Sequence, residues 1–254
     1  MEYKEVSEAK DIAGLRLALI KGIPGPWGES ARSIFELKNI DYIPVAQYAN
    51  QPNEELKAWT GFRNAPVAVY NDERARAHWY EILMLAERLE PNPSLIPGDI
   101  NGRMVMFGLC NEICGEGGMT WEARMMMMDA GYKAQGEDYL KTPMPQEYGY
   151  SPEKAKTASI RVNAVLRALA VQLKQQKAAG KEYFIADELS ALDIYWAHFS
   201  QLFEPLPADV FPIPDILRKT WGTVLPLLEE PVDSALMAHR NMMFERHLGL
   251  PRFF

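Results

Sequence analysis

A strand, a tight loop, a helix and a second strand follow one another near the start of this chain, and that succession limits the folds open to it more than any other feature. Leu15 to Ile20 is a short apolar run bounded by Lys21-Gly22 and reads as a buried strand. Pro24-Gly25-Pro26-Trp27-Gly28 comes next, a tight loop that no regular element accommodates. Glu29 to Lys38 then carries apolar residues at helical spacing (Ala31, Ile34, Phe35, Leu37). Pro26 stands near the helix start, where its missing N–H costs nothing. Asp41 to Val45 is a second strand. The three elements make a βαβ unit, which requires parallel strands and a right-handed crossover.

Pro66 to Tyr70 reads as a third strand, and Asn71-Asp72 as the turn after it. Glu73 to Ala75 is expected to return as a short antiparallel strand, so that the third strand lies centrally in a four-stranded sheet. His78 to Leu89 is helical by spacing and is stopped by Pro91-Asn92-Pro93. Everything after Gly98 reads as helix and loop. A helix is expected from Arg103 to Cys114, and another begins at Thr120-Trp121-Glu122. The clearest helix runs from the Ser151-Pro152-Glu153 cap to a C-terminal stop at Gly180. The change from mixed to all-helical patterning divides the chain into residues 1–94, an α/β domain, and residues 95–254, an all-α domain.

Composition narrows the function. The formal charge of −7 argues against a nucleic-acid partner, whose phosphates need a basic face. Met1 to Asp11 is charged and has no secretory-signal pattern, and no apolar run approaches a membrane span. With only Cys110 and Cys114, a disulfide-stapled scaffold is excluded. A reduced, cytoplasmic compartment is expected.

Two segments carry a family resemblance. Asn64-Ala65-Pro66-Val67-Ala68-Val69 resembles the segment that opens the third strand of thioredoxin-like domains, where the proline is cis. Alone, Pro66 would favour an ordinary trans bond at a strand start. Tyr183 to Trp196 looks like a capping-box region, in which Ser190 would cap the N3 amide and Asp193 would reach back to the Ser190 N–H. Together they make the chain similar to glutathione S-transferases: a thioredoxin-like domain followed by a helical bundle. The resemblance spans roughly Leu15 to Phe203.

The resemblance implies glutathione as co-substrate, held at Ala65-Pro66 through the backbone of Ala65. It also implies a hydroxyl or thiol near the first βα turn, to hold the glutathione thiolate. The two positions at which the family carries that group fall at Lys21 and Gly25, which cannot supply it. Ser30 is the nearest hydroxyl and Trp27 the nearest polar aromatic. Ser30 is either a thiol contact or an exposed or self-bonded helical serine. Amides around Trp27 to Glu29 offer an equal route, because a helix N-terminus favours an anion. The acid that would hold the γ-glutamyl ammonium is missing at Ala77; His78 beside it would meet a carboxylate when protonated. Gln51 and Asn53 lie where the family binds the glycyl carboxylate. Trp59, Thr60, Arg63 and Asn64 stand before the proline as groove candidates.

Cys110 and Cys114, four apart, lack the further ligands that a metal needs and would form a strained disulfide within one helix. They read as core thiols. Met125 to Met128 covers every helix face and reads as adaptable packing, in the core or between subunits. With Met119, Trp121 and Phe107 these methionines would furnish an apolar acceptor site. The reading is a glutathione transferase-like homodimer acting on a small apolar electrophile, its interface built from the helix after Gly98 and the Met-rich helix. A non-catalytic binding protein of the same fold, or an enzyme with another ligand in the same cleft, stands beside it.

Overall fold

The computed structural model describes residues 1–254. The chain divides into two compact units: Met1–Leu95 with Ala208–Ile213 and Phe244–Phe254, and Ile96–Pro207 with Pro214–Met243.

The first unit is built on a mixed sheet. Its strands are β1 (Leu15–Ile20), β2 (Ile43–Gln47) and β3 (Val67–Tyr70), in the order β2-β1-β3. β1 runs parallel to β2, with Arg16 opposite Ile43 and Ile20 opposite Gln47, and antiparallel to β3, with Ala18 opposite Val67. The central strand is therefore β1 and not β3, and the sheet has three strands where four were expected. The fourth survives as one bridge, Ala68 to Arg76. Its stretch is too short to pair further, because the helix that follows begins at Trp79. β2 also starts two residues later than its hydrophobicity suggests. Asn39 turns the chain through the left-handed region, and pairing begins only at Ile43.

Helices cover both faces of this sheet, which explains why β1 is apolar almost throughout. On one side α1 (Val6–Ala9) and α3 (Glu54–Thr60) enclose Ala18, Val45, Val67 and Val69 together with Leu56. On the other, α2 (Pro26–Leu37) packs on β1 and on α4 (Trp79–Leu89). The one charged residue of β1, Arg16, is buried; it donates to the Ile12 and Asn71 carbonyls and lies over the Trp59 ring. Neither α1 nor α3 was legible in the sequence, because four and seven residues are too few to show a period.

The second unit is helical: α5 (Ile100–Cys114), α6 (Met119–Gln135), α7 (Pro143–Tyr148), α8 (Pro152–Ala178), α9 (Ala191–Phe199), α10 (Asp215–Trp221) and α11 (Ser234–Met243). α6 packs along α8, and α9 is gripped by α5 and α11. Every residue of α9 is buried. The Met-rich segment is core, with Met119, Met125, Met126 and Met128 all enclosed. Cys110 and Cys114 are buried and form no disulfide, and burial pushes both thiols well above their ordinary range.

The capping box at the start of α9 closes in both directions. Asp193 Oδ2 accepts the Ser190 N–H at 2.9 Å and the Ser190 hydroxyl at 2.8 Å. Oδ1 accepts the Phe184 N–H at 3.0 Å and lies 2.8 Å from His239 Nε2 on α11. Four polar groups thus depend on one buried carboxylate. Asp193→Ala would leave them without a partner in the core, and it is expected to lower stability by about 3 kcal/mol or more in chemical denaturation.

Candidate functional site

Sheet register decides which residues meet. Ala18 faces Val67 across the last antiparallel pair, so the carboxyl end of β1 and the start of β3, which follows Ala65-Pro66, lie at one edge. The bridge of Ala68 to Arg76 holds the chain that leads into α4 alongside β3. The carboxyl end of β2 lies at the same edge, since Gln47 pairs with Ile20 and its carbonyl accepts the Lys21 N–H at 2.9 Å. The β1–α2 loop, Ala65-Pro66 and the start of α4 therefore converge at the carboxyl ends of β1 and β2, the edge at which open α/β sheets bind ligands.

Gly25 is the N-cap of α2 and Pro26 its first residue. The first amide returned to the helix is that of Glu29, which donates to the Gly25 carbonyl at 2.9 Å. Glu29 therefore drops out of the expected amide set, because its N–H is spent inside the helix. Trp27 itself is half-buried. Gly28 packs against the sheet: a Cβ there would stand 3.3 Å from Leu19 Cδ2.

Ser30 lies elsewhere than expected. It is completely enclosed, and its hydroxyl has no hydrogen-bond partner. It is thus neither exposed nor self-bonded, and no solvent path leads to its oxygen. Lys21, where the resemblance led one to look for a hydroxyl, places its ammonium 3.8 Å from the Glu5 carboxylate and over the Tyr48 ring, and Tyr48 donates to Glu5 at 2.6 Å.

The Ala65-Pro66 peptide is cis, with Ala65 half-buried and Asn64 exposed. Asn53 adopts a left-handed conformation, and its side chain is spent within its own loop. Its Oδ1 accepts the Tyr48 N–H at 3.0 Å, and its Nδ2 donates to the Tyr48 and Gln51 carbonyls at 2.8 and 2.9 Å. Gln51 is exposed on that loop. His78 is exposed at the N-cap of α4, with its ring stacked on Tyr80.

Sequence reasoning missed Gln47. It is buried at the end of β2, and its amide nitrogen lies 3.1 Å from the Tyr48 carbonyl and 3.5 Å from that of Arg63. Its Oε1 has no partner. This carboxamide ties the strand end to the loop that enters Ala65-Pro66. A polar residue closing an apolar strand at its carboxyl end was the signal available for it.

No group of three or more His, Cys, Asp or Glu is placed to hold a metal ion, and no helix is long and apolar enough to cross a membrane. In the helical unit, a groove beside Asn163 is lined by Arg167, Lys174, Glu230 and Asp233. Its cations are already matched by its acids, Arg167 with Glu230 and Lys174 with Asp233.

No protein-family model and no curated protein matches the sequence. Solved structures do match in shape. A glutathione S-transferase from Methylobacillus flagellatus with glutathione bound superimposes with a TM-score of 0.64 at 15% identity, over 92% of this chain and 96% of that one. Glutathione transferase Omega 3C from Trametes versicolor gives 0.61 at 15% identity, over 96% and 90%. A glutathione S-transferase from Methylobacterium radiotolerans in complex with glutathione sulfonate gives 0.58 at 15%, over 93% and 92%. At such identities the likeness is one of architecture. The chain has the glutathione S-transferase fold, a thioredoxin-like unit with a helical one.

A larger side chain at Gly28 would press on Leu19 in the core instead of covering the first-turn amides. Gly28→Leu is expected to cost about 1–3 kcal/mol of stability by overpacking, read as a lower denaturation midpoint.

Proposed function

We propose that this protein binds glutathione at the carboxyl edge of its sheet and transfers the thiolate to a small apolar electrophile. The observation that carries the reading is the convergence of the α2 first turn, the Ala65 backbone and the α4 first turn at one edge. Glutathione presents a thiol, a peptide and two carboxylates, so it needs that combination of an anion-holding turn, an extended edge and a second carboxylate site. The relatives in fold whose structures hold glutathione or glutathione sulfonate support the same ligand.

In this reading the Trp27 and Gly28 amides hold the thiolate, assisted by the helix dipole. The Ala65 N–H and C=O pair with the cysteinyl backbone beside Pro66, and Asn64 lines the groove. His78 and the first turn of α4 meet the γ-glutamyl end. Gln51 reaches the glycyl carboxylate from a loop shaped by Asn53. Thiolate chemistry and a sequence with only two cysteines suit a reducing, cytoplasmic compartment. Assembly as a homodimer would use α5, whose Ile100 and Met104 are 67% and 60% exposed on one helix face. The buried methionines of α6 are withdrawn from that role.

One observation favours the second reading, a non-catalytic binding protein. Lys21 and Gly25 replace the family's hydroxyl or thiol, and Ser30 is sealed.

Titration calorimetry with reduced glutathione is expected to give micromolar affinity, with conjugation of reactive electrophiles. Millimolar or undetectable binding would withdraw the glutathione reading, and tight binding without conjugation would favour the binding protein. Ser30→Ala should slow conjugation by about tenfold at most. It should leave stability unchanged or slightly raised, because the hydroxyl it removes makes no bond. Light scattering should report a dimer at micromolar concentration, and Met104→Glu should shift it toward monomer.

A further inference from the structure

Glu29 is the fourth residue of α2, one turn beyond the Gly25 cap, and it is almost completely buried. A carboxylate in the first turn of a helix is drawn to the same positive end that would hold a ligand anion. Unless it is neutralised, its field opposes that anion. The neutralising charge comes from the far end of the sequence. Arg252 is buried, and its guanidinium lies 3.1 Å from Glu29 Oε2 and 3.3 Å from Glu36 Oε2. Its position is set by three further features: its Nη1 donates to the Leu248 carbonyl at 2.7 Å, its backbone N–H donates to the Val210 carbonyl at 2.9 Å, and Phe254 packs on Phe211 beside it.

Arg32 lies 3.5 Å from Glu29 Oε2, donates to Glu36 Oε1 at 2.7 Å, and reaches the Phe253 carbonyl at 3.0 Å. Tyr42 donates to Glu36 Oε1 at 3.1 Å, and Tyr3 stands within electrostatic reach of Glu29. Burial raises both phenols above their ordinary range, so they contribute no charge. Two acids, Glu29 and Glu36, therefore face two cations, Arg32 and Arg252. Burial raises the Glu29 carboxyl, and Arg252 followed by Arg32 offsets part of that rise.

We propose that Arg252 is a positioning residue for the thiol site: by compensating Glu29 inside the C-terminal clasp on α2, it leaves the positive end of the helix available to the glutathione thiolate. The inference rests on the reading of the α2 first turn as that site. It gives the segment Phe244–Phe254 a part in the chemistry of the thioredoxin-like unit. It also accounts for a buried carboxylate that is otherwise unfavourable beside an anion site.

The test is the pKa of the bound glutathione thiol, followed through ultraviolet thiolate absorbance against pH in the full-length protein. Opposite shifts are expected from the two partners. Arg252→Gln, leaving Glu29 less compensated, should raise the thiol pKa by about one unit. One unit corresponds to about 1.4 kcal/mol of differential interaction with the thiolate. Glu29→Gln, leaving both arginines, should lower it by a similar amount, and the double variant should return near the wild-type value. Arg252→Lys should keep the wild-type thiol pKa even if stability drops. A clasp that serves packing alone predicts no shift, or shifts of the same sign, and either result overturns the proposal. Should Arg252→Gln fail to fold, Glu29→Gln decides alone: an unchanged thiol pKa overturns it. Failure of the wild-type protein to bind glutathione would overturn the functional reading and this inference together. Binding with unshifted variants would overturn only this one.

Discussion

The helical unit is organised around the Asp193 carboxylate. A buried carboxylate is costly unless its lone pairs are filled, and here the chain before α9, the cap of α9 and a histidine of α11 fill them. The same charge thus fixes where α9 begins and what packs on it. Trp196, one turn further along, repeats the link with a hydrogen bond from its indole N–H to the Leu236 carbonyl at 2.8 Å. With α9 held at both points, a helix buried on every side can serve as a core for its neighbours. That solves a common problem of helical bundles, in which apolar faces alone leave register loosely specified.

In the other unit the comparable constraint is the pairing of β1 with both neighbours. A parallel partner on one side and an antiparallel one on the other put two strand ends and one strand start at a single edge. Ligand-binding groups can gather there without any special sequence motif, because the backbone itself supplies most of them. This is why Lys21, Gly25 and Ala77, which bring no hydroxyl, thiol or acid to that edge, do not disturb its shape. The cleft can be kept by packing alone, whereas the chemistry needs particular groups.

Legibility in the sequence followed length and burial. β1 was readable residue for residue, because a strand covered on both faces shows as an uninterrupted apolar run. The Ser190–Asp193 box and the Ser151 cap were readable because capping is local chemistry between residues three apart. The fourth strand was over-read: turn residues and a short polar stretch suit an antiparallel return, yet only Arg76 pairs before α4 begins. Ser30 was placed in the right helix, but its face was not read. Alternation of polar and apolar residues in α2 does not reveal that serines 30 and 33 point inward with Ile34 and Phe35. Gln47 and Asn53 could be noted as polar residues near strand ends, but their bonds to the Arg63 and Tyr48 backbones depend on loops meeting in space.

The sequence by itself determined the βαβ start and the capped helices, because each rests on interactions within a few residues. Only the tertiary structure decided which strand is central, which methionines are core, and that Ser30 is sealed while Gln47 borders the candidate site. It alone joined Arg252 to Glu29, two charges more than two hundred positions apart in the chain. No period or motif encodes such a pair. A long-range ion pair exists only once the backbone has brought both groups out of water, and its strength comes from that exclusion.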